Sequence, residues 1–414
     1  MIAIPFFFFL ILFVVYIKKN GFLCISTALL GIYVLISFFA IMIDYLDLYS
    51  NICPHIDINF GTSLLYCFML WITMYPFLEV KDNKIQRISP MRTTKYLDWV
   101  VYFYFISFII IIGLTYQDLI KNIVLLSVND DLKADFRFGR EEAVSLHGFS
   151  LYIYMRLRFF SISSLILLFY MFYSMAFLKK SKTFYAITFF SSMLCVYDSV
   201  LHLDRSAIVY WLMCFILCAF MFYRYLVKRQ KKAIKYLGFS AVGIIACYVV
   251  FINAARFANA DVSGGDQIIN YLGQSYINFA VFIQNLELPK YTTIHVFPFL
   301  NHLIDPQYKG EDWHMYIQSR TGIFIMCFST FIGEFISNMG CINTIIWCVC
   351  FSLLSKWLLF RSNASVIRPS QYFLMFALVC MPYFGIMASY YHVYAREICT
   401  LFFYIIFRIS EKRK

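Results

Sequence analysis

Three arginines lie at the ends of long apolar segments, where a fixed positive charge can hold an anionic group. Arg205 begins the segment DRSAIVYWLMCF, Arg256 ends the segment FINAARF, and Arg396 lies near the start of the last apolar segment. A guanidinium stays charged when partly buried and matches phosphate oxygens with two parallel hydrogen bonds. These positions therefore favour binding of a phosphate headgroup. The alternative is structural, because interfacial arginines extend towards lipid phosphates and Arg205 can pair with Asp204.

His302 and Glu334 are candidate proton acceptors for a hydroxyl nucleophile. His302 lies among apolar residues just before Asp305–Pro306. Glu334 lies on an otherwise apolar segment, where desolvation would raise the pKa of its carboxyl group towards neutrality. The alternative for each is a structural role, because buried polar groups often only satisfy a neighbouring partner.

Tyr271 and Gln274, in the stretch NYLGQSYINF, are candidate substrate-binding residues. Sugars stack on aromatic rings, and tyrosine hydroxyls bond to sugar hydroxyls. The same region is rich in further aromatic residues, namely Tyr276, Tyr291, Tyr308, Trp313 and Tyr316. An interfacial aromatic belt is the competing explanation for this enrichment.

The sequence gives no reason to expect a metal, a cofactor or a nucleotide. It has no glycine-rich phosphate-binding motif of the kind that holds ATP or a nucleotide sugar. Its 13 cysteines occur without CxxC spacing or ligand-like pairing with histidine. We therefore expect buried single thiols rather than a metal site or a disulfide framework.

The elements that carry these residues are predicted to be transmembrane helices. Apolar residues form 62% of the 414 and charged residues 14%, and apolar runs approach the length of about 20 residues that a span needs. This composition excludes a soluble fold and nucleic-acid binding, despite the net charge of +12. We predict an all-α polytopic bundle of about 11 spans, the first of them a retained span rather than a signal peptide. The predicted spans are 4–17, 22–43, 61–80, 97–115, 151–178, 183–203, 206–224, 235–255, 340–359, 371–390 and 394–410.

Basic residues predict the orientation, because short cytoplasmic loops collect lysine and arginine. The stretch RYLVKRQKKAIK, the lysines around 180 and the tail EKRK all fall on one side in this arrangement. Arg205, Arg256, Arg396, Arg156 and Arg158 fall on the opposite, outer side. Since the loop between the spans of Arg205 and Arg256 is cytoplasmic, we expect those two arginines at similar depth.

The segment TGIFIMCFSTFIGEFI, 321–336, decides whether there is a twelfth span. A crossing there would move the basic C-terminal end outside, and Glu334 would be costly in mid-bilayer. We therefore predict a helix on the outer surface, broken at Asn338–Met339–Gly340. Residues 256–338 then form a large extracytoplasmic loop within a single membrane domain, 1–414.

The order of these parts resembles the bacterial O-antigen polymerases (Wzy-type), also called oligosaccharide repeat unit polymerases. The resemblance rests on DRSAIVYWLMCF, on FINAARFANADVSGGDQIINYLGQSYINF and on FSTFIGEFISNMGCINTIIWCVCFSLLSKW. The first resembles the family's arginine-serine start of a span, the second its span-end arginine followed by a Tyr-rich helix. The third resembles its surface helix that turns into a span at a glycine, although Asn338–Met339–Gly340 departs from the usual acidic-aromatic-glycine turn.

The resemblance implies a membrane glycosyltransferase on the periplasmic face of the bacterial inner membrane. Its substrates would be oligosaccharide repeat units on undecaprenyl pyrophosphate, its setting the lipid bilayer, and its further partner a chain-length regulator, with no metal. Arg205 and Arg256 would hold the donor pyrophosphate, and His302 or Glu334 would take the acceptor proton. Two alternatives remain: an O-antigen ligase, which shares this layout, and a repeat-unit flippase, which would need mid-span ionisable residues and broken helices.

Overall fold

The computed structural model describes residues 1–50, 53–80, 87–126, 143–204, 206–257, 264–285, 297, 318–319, 328–360, 366–386 and 394–411. Within these residues the chain is mostly α-helical, as the apolar periodicity predicts. Two short strands, β1 (Arg87–Ile88) and β2 (Val366–Ile367), pair in parallel. The helices are α1 (Ile4–Asn20), α2 (Ile25–Tyr45), α3 (Phe60–Leu78), α4 (Lys95–Leu126), α5 (Gly148–Ser161), α6 (Ile166–Phe177), α7 (Lys182–Ser192), α8 (Leu194–Leu201), α9 (Ser206–Phe222), α10 (Lys228–Phe257), α11 (Gly264–Asn285), α12 (Thr330–Met339), α13 (Cys341–Phe360), α14 (Pro369–Phe384) and α15 (Tyr394–Ser410).

Six helical segments among the described residues are long and apolar enough to cross a membrane. They are Ile25–Tyr45, Phe60–Leu78, Lys95–Leu125, Lys182–Leu201, Ser206–Tyr225 and Cys341–Leu359, and the bent pair α5–α6 makes a seventh if it is one span. Helices lie within each of the predicted spans, and two of these spans, 151–178 and 183–203, each contain two helices. However, α1, α14 and α15 have 17, 16 and 17 residues, which is short of the 30 Å hydrocarbon thickness at about 1.5 Å per residue. The all-α membrane architecture is therefore supported, and the count of about 11 spans is not.

The span predicted as one helix over 151–178 is instead bent by 57° between α5 and α6. Serines stabilise the break: Ser163 shares a 2.7 Å hydrogen bond with the Tyr104 hydroxyl. Ser164 donates to the Ser192 carbonyl at 3.1 Å and accepts from the Cys195 amide at 3.1 Å, and those two residues flank the break between α7 and α8. Side-chain hydroxyls thus replace backbone hydrogen bonds that a broken helix loses.

The described chain divides into two compact units. The first unit comprises Met1–Ser89 and Gly265–Ile398, and the second comprises Pro90–Gly264 and Cys399–Lys414. The prediction of a single domain over 1–414 was made from sequence patterning and stays a prediction.

In the first unit, α11 crosses α2 with the two backbones in direct contact. A Cβ atom added at Gly273 would lie 2.5 Å from the Phe39 carbonyl carbon and 2.7 Å from the Ala40 nitrogen. Small residues allow helix backbones to approach in this way inside membranes. Gly273 therefore fixes how closely the Tyr-rich helix α11 packs against α2.

The second unit has a basic end and an opposite end with fewer basic residues. At the basic end, Lys180 donates to Asp98 at 2.6 Å, which joins the start of α7 to the start of α4, and Gln230 at the start of α10 donates to the Met175 carbonyl at 2.7 Å. Lysines and arginines concentrate at this end, at positions 179, 180, 182, 224, 228, 229, 231, 232 and 235. The start of α5, the end of α8 and the start of α9 lie at the opposite end. Many of the basic residues predicted to face the cytoplasm therefore lie together at one end of this unit.

The segment around Glu334 forms the short helix α12, which ends where the sequence predicts. Its ten residues extend about 15 Å, half of the hydrocarbon thickness. Gly340 follows with a φ of 81°, a conformation that glycine adopts without steric cost, and α13 begins at the next residue. The described helix is too short to cross a membrane by itself.

Replacing Gly273 by valine should destabilise the first unit. The added methyl groups would overlap the Phe39–Ala40 backbone, and overpacking of this kind costs about 1–3 kcal/mol. We expect a lower midpoint of thermal unfolding in detergent, measured by the loss of monodisperse protein on size-exclusion chromatography. Gly113→Ala is the matched control, because a Cβ there meets no atom within 4 Å among the described residues. An unchanged midpoint for Gly273→Val would contradict the close crossing.

Candidate functional site

A network of polar side chains around Asp198 occupies the end of the second unit that lies opposite its basic end. The Asp198 carboxylate accepts from the Tyr154 hydroxyl at 3.1 Å, from Arg158 Nε at 3.3 Å and from the Ser161 hydroxyl at 3.4 Å. Asp198 is 9% exposed, whereas the Arg158 side chain is 39% exposed. A carboxylate in this setting is tolerated because it is paired and hydrogen-bonded. The network joins α8 to α5, the helix that precedes the 57° bend.

His202, directly after α8, extends this network towards the surface. Its Nδ1 lies 2.8 Å from the Asp198 carbonyl oxygen and 3.7 Å from the Asp198 carboxylate. A carbonyl can only accept, so Nδ1 carries the proton in this contact. In the neutral ring, Nε2 is then the acceptor nitrogen, and among the described residues it makes no hydrogen bond. The His202 side chain is 21% exposed.

The turn between α8 and α9 is held by hydrogen bonds on both sides. The Ser199 hydroxyl donates to the Asp204 carbonyl at 2.7 Å, and the Asp204 amide donates to the Ser199 carbonyl at 2.8 Å. Leu203 is fully buried with a φ of 53°, a strained conformation for a non-glycine residue. Asp204 then accepts from the Ser206 hydroxyl and amide, which is how an aspartate caps the first turn of a helix.

Two buried side chains of α4 brace the same end. Asn122 donates to the carbonyls of Ala143 and Leu201, each at 2.9 Å. Asp118 accepts from the Ser145 hydroxyl at 2.6 Å and from its amide at 3.2 Å. The end of α4, the segment before α5 and the end of α8 therefore form one hydrogen-bonded frame.

Arg205 lies outside the described residues, although the residues on both sides of it are described. Arg256 is the penultimate residue of α10. The helices α9 and α10 are consecutive and adjacent, since a Cβ at Gly238 would lie 3.2 Å from the Phe215 ring. From that contact, α10 continues 18 residues to Arg256 and α9 continues nine residues to Ser206, a difference of about 13 Å at 1.5 Å per residue. The equal depth expected for the two arginines therefore requires α10 to lean over the start of α9.

In the first unit, α11 and the start of α12 meet at Gln274. The Gln274 side-chain oxygen accepts from the Phe328 amide at 3.3 Å and from Asn278 Nδ2 at 3.4 Å. Asn278 also donates to the Phe328 carbonyl at 2.9 Å, and the Tyr271 ring lies 5.7 Å from the Phe328 ring. The structure thus brings the predicted Tyr271 and Gln274 together, against the segment that carries Glu334.

Two amides on this face of α11 keep unused hydrogen-bonding atoms. Gln274 Nε2 and Asn270 Oδ1, one helical turn apart, make no hydrogen bond to any residue that the structure describes. Gln274 is fully buried and Asn270 is 4% exposed. Buried polar groups are nearly always satisfied, so these atoms favour a polar occupant, such as a water molecule or a substrate hydroxyl.

Of the remaining predicted residues, the structure describes Glu334 and Arg396. Glu334 is partly exposed on α12, and its neighbours Phe331, Gly333 and Phe335 are buried, so it does lie on an otherwise apolar helix. Arg396, in the first turn of α15, is 7% exposed. His302 lies outside the described residues, as do Tyr291, Tyr308, Trp313 and Tyr316.

The burial of Tyr276 differs from the expectation of a ring that stacks on a sugar. Tyr276 was grouped with the aromatic residues that suit sugar stacking, but it is fully buried. Its hydroxyl shares a 2.7 Å hydrogen bond with Ser63, and its ring lies 4.7 Å from that of Tyr66. These contacts with α3 place Tyr276 in the core of the first unit.

The group formed by Tyr154, Arg158, Asp198 and His202 was not predicted from the sequence. One signal was present: Asp198 and His202 are four residues apart, which places them on one helical face. The pairing with Arg158 across 40 residues has no counterpart in the sequence pattern.

Comparisons with known proteins give no relative for this chain. No protein-family model, no curated protein and no solved structure matches it.

Replacing Asn122 by alanine should loosen the frame that holds the turn before α9. The change leaves the buried carbonyls of Ala143 and Leu201 without their amide donor, and each unsatisfied buried group costs about 1–3 kcal/mol. We expect a lower midpoint of thermal unfolding and faster amide exchange around residues 199–204. Gln117→Ala, at an exposed position on the same helix, should change neither. Equal behaviour of the two variants would show that the frame contributes little.

Proposed function

We propose that this chain is a membrane glycosyltransferase that joins oligosaccharide repeat units carried on undecaprenyl pyrophosphate, as in O-antigen polymerases. The reaction would take place on the periplasmic face of a bacterial inner membrane. The growing chain passes from its lipid pyrophosphate to a hydroxyl of the outermost sugar on a fresh lipid-linked unit. No cofactor is required, because pyrophosphate is already a good leaving group.

The observation that carries this proposal is the polarity of the second unit. Arg205 immediately precedes α9 at the end opposite the lysine-rich end. If the basic end faces the cytoplasm, then this arginine belongs to the outer surface. An arginine there suits the phosphates of a lipid-linked sugar, because its guanidinium forms paired, charge-assisted hydrogen bonds to phosphate oxygens.

In the proposed reaction Arg205 and Arg256 bind the donor pyrophosphate. Negative charge grows on the phosphate oxygen as the bond to the anomeric carbon breaks, and fixed positive charge stabilises it. Arg396 contributes a further positive charge for substrate binding. These side chains act by charge and position, and none of them changes protonation state.

The contact between α11 and α12 supplies the sugar-binding part of the proposal. Tyr271 offers a ring, and Gln274 keeps a free amide donor among the described residues. Glu334 or His302 takes the acceptor proton. A sugar bound to Tyr271 and Gln274 would be held in one orientation, and fixed orientation of a reactant itself lowers the barrier.

Arg205→Ala should abolish chain extension. We expect a deletion strain complemented with this variant to display a single repeat unit instead of a ladder of lipopolysaccharide or capsule, since loss of one charge-stabilising group costs about 100-fold or more in rate. Arg256→Ala should shorten or abolish the ladder in the same way. Gel electrophoresis of the surface polysaccharide measures both.

Arg224→Ala is the control for that experiment, because Arg224 is exposed at the basic end and stacks on Tyr225. It should restore a full ladder. The deletion strain itself separates polymerase from ligase, because loss of a ligase leaves no capped unit at all. Full ladders from both Arg205→Ala and Arg256→Ala would contradict the pyrophosphate assignment.

A repeat-unit flippase is the second candidate, and one observation favours it. The bent pair α5–α6 and the buried Asp198 are the kind of broken helix and intramembrane charge that transporters use. Against it, the serines at the two breaks and the Asp198 carboxylate are hydrogen-bonded to neighbouring protein groups. A transport site would need such groups to be open to a substrate.

Asp198→Asn separates the two candidates. A flippase that depends on this charge would lose delivery of repeat units to the outer face, so labelled units would accumulate inside. A polymerase would still receive delivered units. We expect lipid-linked units to reach the outer face in a strain that carries Asp198→Asn, detected by a lectin applied to intact spheroplasts, and their absence there would favour transport.

A further inference from the structure

We propose that His202 is the general base that takes the proton from the acceptor hydroxyl. This inference rests on the proposed transferase function and adds a residue to its site. It assigns the proton transfer to the second unit, which also holds Arg205 and Arg256, in place of Glu334 or His302.

A hydrogen bond at Nδ1 fixes the orientation of the His202 imidazole ring. His202 Nδ1 is bound to the Asp198 carbonyl at 2.8 Å, so the proton stays on Nδ1 and the lone pair stays on Nε2. Catalytic histidines are held in one tautomer by a contact of this kind. Nε2 makes no hydrogen bond to the described residues, and the side chain is 21% exposed; in the proposed reaction the acceptor hydroxyl binds at this nitrogen.

Hydrogen bonds hold the His202 ring and its surroundings in place. Asp198 is fixed by Tyr154, Arg158 and Ser161. The His202 amide also donates to the Asp198 carbonyl, at 3.2 Å. A base that is held in position before the substrate binds does not need to be ordered during the reaction.

His202 lies close along the chain to Arg205, the proposed phosphate ligand. His202 and Arg205 are three residues apart, so their Cα atoms are separated by at most about 11 Å. A donor pyrophosphate held by Arg205 therefore places its anomeric carbon in the neighbourhood of His202. Of the two proton acceptors proposed from the sequence, neither lies within 90 positions of Arg205.

The protonation state of His202 is suited to this role. Burial lowers the pKa of His202 below 6.5, and the nearby Asp198 carboxylate opposes part of that shift. The charged and titratable groups that face it are Arg158 and Tyr154 on α5, Asp198 on α8, and Asp204 in the following turn. The imidazole is therefore neutral near pH 7 and able to accept a proton, and it loses this ability as the pH falls through its pKa.

The proposed step moves one proton, forms one bond at the anomeric carbon and breaks one. The acceptor hydroxyl gives its proton to His202 Nε2 while its oxygen forms the bond to the anomeric carbon of the donor. The bond from that carbon to the pyrophosphate oxygen breaks, and its electron pair leaves with the pyrophosphate. The imidazolium then returns the proton to water.

The test uses the purified full-length chain in phospholipid vesicles, with a synthetic polyprenyl-pyrophosphate repeat unit as both donor and acceptor. The informative variant is His202→Asn, because the shorter amide can still donate to the Asp198 carbonyl but has no counterpart of Nε2. We expect its kcat to fall about 100-fold, the usual contribution of a general base, with KM little changed. The wild type should lose kcat as the pH falls below 6.5, through the lowered pKa of His202, and the residual activity of His202→Asn should lose that dependence.

His147→Gln is the matched control, because His147 is exposed before α5 in the same unit, and it should keep the wild-type rate and pH profile. Wild-type kcat and an unchanged pH profile in His202→Asn would overturn the inference, as would a comparable loss in Glu334→Gln alone. If the His202→Asn protein fails to fold, His202→Gln takes its place, and an acid limb that persists in His202→Gln overturns the inference. A wild type that forms no product overturns the transferase function as well, which distinguishes the two failures.

Discussion

The placement of one carboxylate, that of Asp198, is the constraint on which the second unit depends. It is 9% exposed in an apolar bundle and is held by Tyr154, Arg158 and Ser161. An unpaired carboxylate at such a position would be costly, so α5 must approach α8 closely enough to supply these partners. The same residue's carbonyl binds His202. One residue therefore determines both the helix packing and the direction of the nearest titratable side chain.

The bends in the second unit follow from the same requirement that polar groups inside a membrane be satisfied by protein. Where α5 ends and α6 begins, Ser163 bonds to Tyr104 and Ser164 bonds to the break between α7 and α8. Ser164 thus supplies hydrogen bonds to the backbone at the break between α7 and α8. The result is a closed polar end from which the turn before α9 projects. A rigid end of this kind suits a site that orients substrates, and it suits an alternating transport path less well.

Much of this architecture could be predicted from the sequence, and the missing parts have physical reasons. Apolar runs predict the helices, and Gly340 marks the end of α12 as expected. The bend near Ser163 could not be predicted, because 151–178 contains neither proline nor glycine and serines also occur in straight spans. The pairing of Arg158 with Asp198 joins positions 40 residues apart, which periodicity does not encode. His202 was passed over because the sequence does not show which ring nitrogen is held, and Tyr276 was misread because the sequence does not show which face of α11 meets α3.

In the proposed reaction, Arg205, Arg256 and a neutral His202 would together form a transferase that needs no nucleotide. The most direct test is to incubate the purified chain with a lipid-linked repeat unit alone and to separate the products by mass. The account predicts a ladder of lipid-linked products that increase by one repeat unit per step, without added nucleotide sugar or metal. Unextended units, or units moved between leaflets without extension, would contradict it.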